Sequence, residues 1–176
     1  AGLSTLLIAQ TASAVELVSS SIHNRAGNAA SNSVATNAFG DVVVFYSDAN
    51  DLVPGDTNGV RDVFVHDQQT GHVERVSVSS EGVQGDRGSH TVGDAAAISG
   101  DGSVVAFYSN ASNLVAGDDN GTADVFVRAR SAATTELISV NTDGVLGNGA
   151  SLSPGISADG NIVVFQSLAS NLVADD

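Results

Sequence analysis

The chain has 176 residues and a formal net charge of −14, and it contains no lysine and no cysteine. Its length fits one compact domain, and its charge argues against a nucleic-acid partner, because an acidic surface repels phosphate backbones. Without cysteine the chain has neither disulfides nor thiolate metal sites. No apolar run reaches the roughly 18 residues that a membrane-spanning helix needs, so we predict no membrane span.

The predicted strands recur along the chain in a fixed order. VELVS (15–19) returns 58 residues later as VERVS (73–77), and DVFV (62–65) returns 62 residues later as DVFV (124–127). The two offsets differ because the middle copy has a longer loop before Ile98. Internal repetition with a period of this length indicates a fold built from copies of one supersecondary unit.

Each unit contains four predicted strands, here called A to D in chain order. Strand A is short and is joined to strand B by an Asp-Gly turn, as at Asp101-Gly102, which is a strong hairpin signal. Strand B is almost wholly apolar, as in VVVFYS (42–47), and is therefore predicted to be buried on both faces. Strand C is DVFV. Strand D, ERVSVS (74–79), alternates apolar residues with serine, which predicts a half-exposed outermost strand.

Four antiparallel strands in a unit of roughly 60 residues predict an all-β fold of propeller blades. The strand order along the chain is C-D, A-B-C-D, A-B-C-D, A-B, which makes about three four-stranded antiparallel blades with circularly offset ends. We therefore treat residues 1–176 as a single repeat domain. Its predicted parts are a blade half over 1–34, blades over 35–92 and 93–150, and a blade half over 151–176.

The two blade halves at the ends of the chain are complementary. In repeat register Ser4–Leu7 match Asp62–Val65, so the chain starts as strand C, and it stops just after strand B. Pairing the halves would remove exposed sheet edges. Because propellers usually have roughly four to eight blades, we expect a homo-oligomer joined through residues 1–10 and 165–176, as a six-bladed ring of two chains or as a filament. Closure of one chain on itself is the alternative.

The stretch ISGDGSVVAFYSNASNLVAGDDNGTADVFVRA (98–129) resembles the WD40-like repeats of TolB-type bacterial β-propellers. In that family a Ser-Pro-Asp-Gly turn precedes a V-A-F-S strand, and a strand of the form D-h-F-h follows. Here the turn over 99–102 lacks the proline, and the first copy over 37–40 lacks the aspartate as well. The resemblance covers nearly the whole chain. It implies an exported or cell-surface propeller with a binding or scaffolding role, and it implies no particular activity.

The loops between strands B and C contain many oxygen ligands of the kind that calcium prefers. We predict calcium as a possible cofactor of these loops, with a third and weakest loop formed by Asp176 and residues near Ala1. The alternative is that the Asn-Gly pairs adopt positive-φ turn positions while the second aspartate of each loop caps it through backbone N–H groups. The candidate metal ligands are Asp56, Asn58, Asp62, Asp118, Asn120 and Asp124.

Other candidate chemistry is sparse. The histidines, at positions 23, 66, 72 and 90, have no metal-like spacing and are predicted at exposed loop or strand positions, and no Gly-x-Ser-x-Gly motif occurs. The longer loop of the middle copy, DRGSHTVGD (86–94), is the one asymmetric feature. Its Asp86, Arg87, His90 and Asp94 are therefore the candidates for a unique site.

The leading hypothesis is an extracellular or cell-surface, non-enzymatic β-propeller module that acts as a structural or binding unit. It would self-associate through its complementary terminal blade halves. The alternative is a six-bladed propeller hydrolase, or a carbohydrate- or ligand-binding protein with calcium-stabilised loops. An enzyme would break the symmetry of the copies with one unique polar cluster, whereas a scaffold would keep the copies alike.

Overall fold

The computed structural model describes residues 8–10, 15–89 and 96–174, and within these ranges every regular element is a β-strand. The strands form two four-stranded antiparallel sheets, β3-β4-β5-β6 and β7-β8-β9-β10, and two two-stranded sheets, β1-β2 and β11-β12. This confirms the predicted all-β fold of four-stranded antiparallel units. The strands are β1 Ile8–Gln10, β2 Val15–Leu17, β3 Ser31–Thr36, β4 Val42–Ser47, β5 Asp62–Asp67, β6 His72–Arg75, β7 Ala97–Ile98, β8 Val104–Ser109, β9 Asp124–Ala129, β10 Thr134–Leu137, β11 Ser151–Ile156 and β12 Val163–Ser167.

The two four-stranded sheets have the same internal register. Phe45 of β4 pairs with Phe64 of β5, and 62 residues later Phe107 of β8 pairs with Phe126 of β9. In both pairs the ring centroids are 5.8 Å apart and the rings are stacked. The predicted A-to-B hairpin is present, with Gly102 at a φ of +75°, a conformation that glycine adopts without steric cost.

In the first and last copies strand A is longer than the sequence pattern indicates, whereas β7 of the middle copy has two residues. The strands β3 and β11 each have six residues, and β3 extends across the predicted boundary between residues 34 and 35. Each contains a β-bulge, with Ser33 and Ser153 at positive φ. A bulge inserts one residue into the strand, so it interrupts the two-residue alternation by which a strand is recognised in a sequence.

The first hairpin departs from the repeat register. In β5–β6 Phe64 pairs with Arg75, and the repeat equivalents of these residues are Leu6 and Leu17. The observed partner of Leu17 is instead Ile8, the first residue of β1, which lies two residues later in the chain. The predicted strand C at Ser4–Leu7 lies outside the described residues.

The central strands are buried on both faces because sheets stack against them from both sides. On β4, Val44 and Tyr46 belong to a core shared with Phe107 and Phe126 of the neighbouring sheet. The alternate residues of β4 pack in a second core with Val18 of the preceding segment. The prediction that strand B is buried on both faces is therefore confirmed for β4 and, apart from the half-buried Val104, for β8.

The last B strand is an exception. Its Val164 is 63% exposed, whereas the equivalent residues Ala106 and Val44 are fully buried. The reason is that Val163 and Phe165 of β12 pack on the preceding sheet, whereas the opposite face, which carries Val164, has no sheet stacked on it in the described part of the chain. Strand D also differs from expectation. It is outermost as predicted, but Ser77, which follows it, is fully buried rather than half-exposed.

The turns between strands A and B are joined in a row by backbone hydrogen bonds. The Ala38 N–H donates to the Gly100 carbonyl at 3.2 Å, and the Gly100 N–H donates to the Ala158 carbonyl at 2.8 Å. These three residues hold the same repeat position. A Cβ added at Gly100 would lie 2.9 Å from the Ala158 oxygen. The middle copy therefore requires glycine where its two neighbours carry alanine.

We predict that Gly100→Ala destabilises the protein, although it restores the residue found in the other two copies. The added methyl group would push the neighbouring turn away, and overpacking of this kind costs about 1–3 kcal/mol. Chemical denaturation measures the change. Ala38→Gly is the matched control and should cost less, and equal losses for the two variants would contradict the packing described here.

Candidate functional site

The candidate site consists of the two loops that join strand B to strand C, residues 48–61 and 110–123. Each loop ends in an aspartate that begins strand C, Asp62 in one and Asp124 in the other. Gly59 and Gly121 adopt φ values of +67° and +70°. The glycine of each Asn-Gly pair thus takes the positive φ that the alternative to calcium predicts, whereas Asn58 and Asn120 do not.

A buried aspartate lies at the centre of each loop. Asp62 Oδ1 accepts a hydrogen bond of 2.5 Å from Ser77 Oγ, which itself accepts one of 3.1 Å from the Val63 N–H. In the second loop Asp124 Oδ1 accepts a hydrogen bond of 2.5 Å from Ser139 Oγ. The predicted cap through backbone N–H groups is wrong in this detail, because a serine hydroxyl stands between the backbone and the carboxylate.

An asparagine completes each cluster. The Asn58 Nδ2 donates to Asp62 Oδ2 at 2.9 Å and to the Gly85 carbonyl at 3.0 Å. In the second loop, the Asn120 Nδ2 donates to Asp124 Oδ2 at 2.7 Å. Each asparagine thus presents its amide nitrogen to the aspartate, and its oxygen accepts from a backbone N–H of the turn.

The first aspartate of each loop distinguishes the two copies. Asp56 Oδ1 lies 2.9 Å from Arg75 Nη1. The two side chains form an ion pair, but the N–H group does not point at the oxygen as it would in a hydrogen bond. The same nitrogen lies 3.4 Å from Asp62 Oδ2. The residue equivalent to Arg75 in the second copy is Leu137. Asp118 consequently has neither a hydrogen bond nor an ion pair with any described residue.

Because Leu137 stands where the first loop has Arg75, no arginine on strand D neutralises the Asp118 carboxylate. Asp118 is only 7% exposed, and burial raises its pKa to about 6, with further contributions from Asp124, Asp119 and Asp86 that the Arg87 guanidinium opposes in part. Burial also raises the pKa of Asp62, against the hydrogen bonds that this carboxylate accepts.

The structure thus brings together the predicted aspartates and asparagine of each loop, but as hydrogen-bonded turns. Among the residues it describes, no group of three or more His, Asp or Glu side chains is arranged to hold a metal ion. The third predicted loop, with Asp176 and residues near Ala1, lies outside the described residues. Calcium binding stays a prediction. The role of the two serines was missed, although their recurrence 15 residues after each aspartate was visible.

Two of the four candidate residues of the asymmetric segment lie in the described part of the chain. The Asp86 carboxylate accepts hydrogen bonds of 2.8 Å from both the backbone N–H and the hydroxyl of Ser112, so it ties this segment to the following B-to-C loop. Arg87 is exposed, and its charge acts on Asp118. His90 and Asp94 lie outside the described residues.

One histidine departs from the prediction of exposed positions. His66 of β5 is 2% exposed, and burial lowers its pKa. Its Nε2 lies 3.9 Å from Glu16 Oε1, and its Nδ1 has no hydrogen-bond partner in the described part of the chain. No serine hydroxyl therefore joins this histidine and glutamate in a catalytic triad there.

Comparison of the structure with solved structures shows a TolB-like β-propeller fold. TolB from Acinetobacter baumannii is 16% identical, with a TM-score of 0.50 over 90% of this chain and 30% of TolB. The tricorn protease is 15% identical, with a TM-score of 0.52 over 88% of this chain and 12% of the protease. No family model and no curated protein matches the sequence.

These likenesses establish the fold alone. The chain spans less than a third of TolB and about an eighth of the tricorn protease, and one of the two neighbours is named as a protease while the other is not. Propellers host unrelated functions, so activity has to be argued from the residues of this chain. In the ranges that the structure describes, no helix is long and apolar enough to cross a membrane.

We predict that Ser77→Ala and Ser139→Ala each destabilise the fold by about 1–3 kcal/mol, because each leaves a buried carboxylate short of a hydrogen bond. Urea denaturation at neutral pH measures the loss. Ser131→Ala, at an exposed turn, is the control and should change stability by less than about 0.5 kcal/mol. Losses no larger than that of the control would show that the serine–aspartate bonds are not structural.

We predict that Asp118→Asn makes the protein more stable at pH 7 but not at pH 4. The pKa of Asp118 is about 6 in the folded chain against an ordinary value of 3.8, so the folded state binds the proton more tightly. This tighter proton binding stabilises the folded state at low pH, and the stabilisation is lost as the pH rises through 6. At about 1.4 kcal/mol per pKa unit, the loss amounts to about 2–3 kcal/mol.

The measurement is the free energy of unfolding of both proteins between pH 4 and pH 7. Asp143→Asn, at an exposed turn, controls for the change in net charge. A difference between Asp118→Asn and the natural protein that stays constant with pH would contradict the assignment.

Proposed function

We propose that this chain is a non-enzymatic, self-associating β-propeller module that works as a structural or binding unit outside the cell or at its surface. Copies associate when the half-sheet β1-β2 of one chain pairs with the half-sheet β11-β12 of another. The observation that carries the proposal is the exposed outer edge of β12. The same contact would give a closed dimer or a filament, depending on the rotation between successive copies.

In the described part of the chain, β12 has no strand on its outer side and also carries exposed apolar side chains. Ile162 and Val164 are 62% and 63% exposed, and Leu168, just beyond the strand, is 81% exposed. The equivalent strands β4 and β8 have a neighbour on each side. Natural proteins shield such edges with charges, prolines or covering segments, and β12 itself contains no charged residue and no proline.

The row of A-to-B turns is open at both of its ends. Ala38 N–H to Gly100 carbonyl and Gly100 N–H to Ala158 carbonyl are its two links. At the ends of the row, the Ala158 N–H and the Ala38 carbonyl have no such link within the described residues. A second copy would place its Ala38 carbonyl against the Ala158 N–H and so continue the row.

The half-sheet β1-β2 has the strands that β11-β12 lacks. By repeat position β1 is a C strand and β2 is a D strand, with Glu16 matching Glu74 of β6. Added to the A and B strands of β11-β12, they reproduce the order of the complete sheets. The two half-sheets are separate in the described structure, so we assign the pairing to two copies of the chain.

Two further parts of the proposal have support of their own. The non-enzymatic role is favoured because Asp62 and Asp124, the aspartates that begin strand C, accept hydrogen bonds from serine and asparagine and are therefore in structural use. The extracellular or cell-surface location is supported by the resemblance to exported bacterial propellers set out above.

Sedimentation of the full chain over a wide concentration range tests the self-association. We expect a mass that rises with concentration, at physiological ionic strength so that the repulsion between chains of charge −14 is screened. Val164→Lys should give a monomer, because it places a charge on the exposed apolar strand that the second copy would have to cover.

Val83→Lys is the matched control, since Val83 is also exposed, at 53%, and lies in the connection that follows β6. Its association should equal that of the natural chain. A natural chain that stays monomeric at every concentration would refute the proposal, and so would association that survives Val164→Lys.

A further inference from the structure

A groove opens beside the second B-to-C loop, and the buried Asp118 carboxylate lines it. Its volume is about 580 Å³. The apolar side chains of its wall are those of Val115, Leu137, Val140 and Leu146, and Glu136 adds a second carboxylate. The groove therefore combines an apolar wall with negative charge.

The first loop shows what kind of group satisfies such a carboxylate. There the Arg75 guanidinium, whose side chain is 9% exposed, lies 2.9 Å from Asp56 and 3.4 Å from Asp62. Asp56 and Asp118 hold the same repeat position, and Leu137 replaces Arg75. The second loop thus has the carboxylates of a guanidinium site but lacks the guanidinium.

The donor set favours an organic cation over a metal ion. Both oxygens of Asp124 already accept hydrogen bonds, from Ser139 and Asn120, and Asn120 presents its amide nitrogen rather than its oxygen. Of the two aspartates that the loops share, Asp118 is the one that offers a carboxylate without a hydrogen bond among the described residues. One such carboxylate falls well short of the roughly six to eight oxygen ligands that calcium takes.

The charges around the groove favour a cation of any kind. Asp124, Asp119 and Asp86 act on Asp118 with negative charge, and Arg87 is the positive group that opposes them. A guanidinium adds to this attraction a planar set of donors that matches a carboxylate, and an alkyl stem can cover apolar surface beside the charged head. Leu137 and Val140 provide that surface.

We infer that the groove at Asp118 binds an alkylguanidinium, such as an arginine side chain of a peptide, in the place that Arg75 occupies within the chain in the first loop. The Asp118 carboxylate pairs with the guanidinium, and the stem lies along Leu137, Val115 and Val140. The inference does not depend on self-association, since the groove lies within a single chain.

Nuclear magnetic resonance titration of the full chain at neutral pH tests the inference, with N-acetyl-arginine amide as the probe. We expect saturable shifts at Leu137 and Asp118. The neutral isostere N-acetyl-citrulline amide should bind about tenfold more weakly or worse, because it lacks the charge of the guanidinium. A capped Ala-Arg-Ala peptide tests whether the site recognises the peptide backbone as well as the arginine side chain. Tighter binding than that of the amide identifies a peptide as the ligand, and equal binding identifies the side chain alone.

Reciprocal variants give the matched controls. Leu137→Arg supplies the guanidinium within the chain and should abolish probe binding while the fold is kept, and Asp118→Asn should weaken binding about tenfold. Arg75→Leu should open a second site, so that two probes bind per chain. If that variant does not fold, the comparison of the arginine and citrulline probes on the natural chain still tests whether the groove binds a guanidinium.

Three outcomes would overturn the inference. Equal binding of the arginine and citrulline probes would remove the role of the charge. Unchanged binding in Leu137→Arg would place the probe elsewhere. Saturable binding of calcium chloride at Asp118 without binding of the arginine probe would show that the site takes a metal ion.

Discussion

The buried aspartate that begins strand C is the constraint on which each unit depends. Asp62 joins the B-to-C loop through Asn58 and the end of strand D through Ser77, while Asn58 also binds the Gly85 carbonyl of the next connection. A carboxylate without such partners would be costly in an apolar interior. Each unit that carries this aspartate must therefore also supply its serine and asparagine, which explains why these residues recur in register.

The same dependence operates between units. A four-stranded sheet of this kind buries its central strands only when other sheets cover both of its faces, so one unit cannot form a core alone. The strand β12 shows the consequence of a missing neighbour, because Val164 is exposed where Ala106 is fully buried. The proposed association and the stability of the fold thus have one origin, the burial of strand B.

The sequence predicted the order of the strands and the Asp-Gly turns because both depend on local chemistry that repeats. It did not predict the length of strand A, since the bulges at Ser33 and Ser153 break the alternation on which the prediction relies. It also left the loops undecided, because aspartate, asparagine and glycine suit a turn and a metal site alike. The partner that distinguishes these uses is a serine 15 residues away, whose contact only the folded chain reveals.

Departures from the repeat carry information that the repeated residues do not. Residues such as Asp62 and Asp124 are constrained by the same contacts in each copy, whereas Arg75 and Leu137 occupy one repeat position with opposite chemistry. Phe39 is 79% exposed where the other copies have the turn aspartates Asp101 and Asp159. A scaffold that needed only to stack its units would have no use for such differences. Specific recognition in a repeat protein is therefore to be sought at positions where the copies differ while the surrounding contacts stay the same.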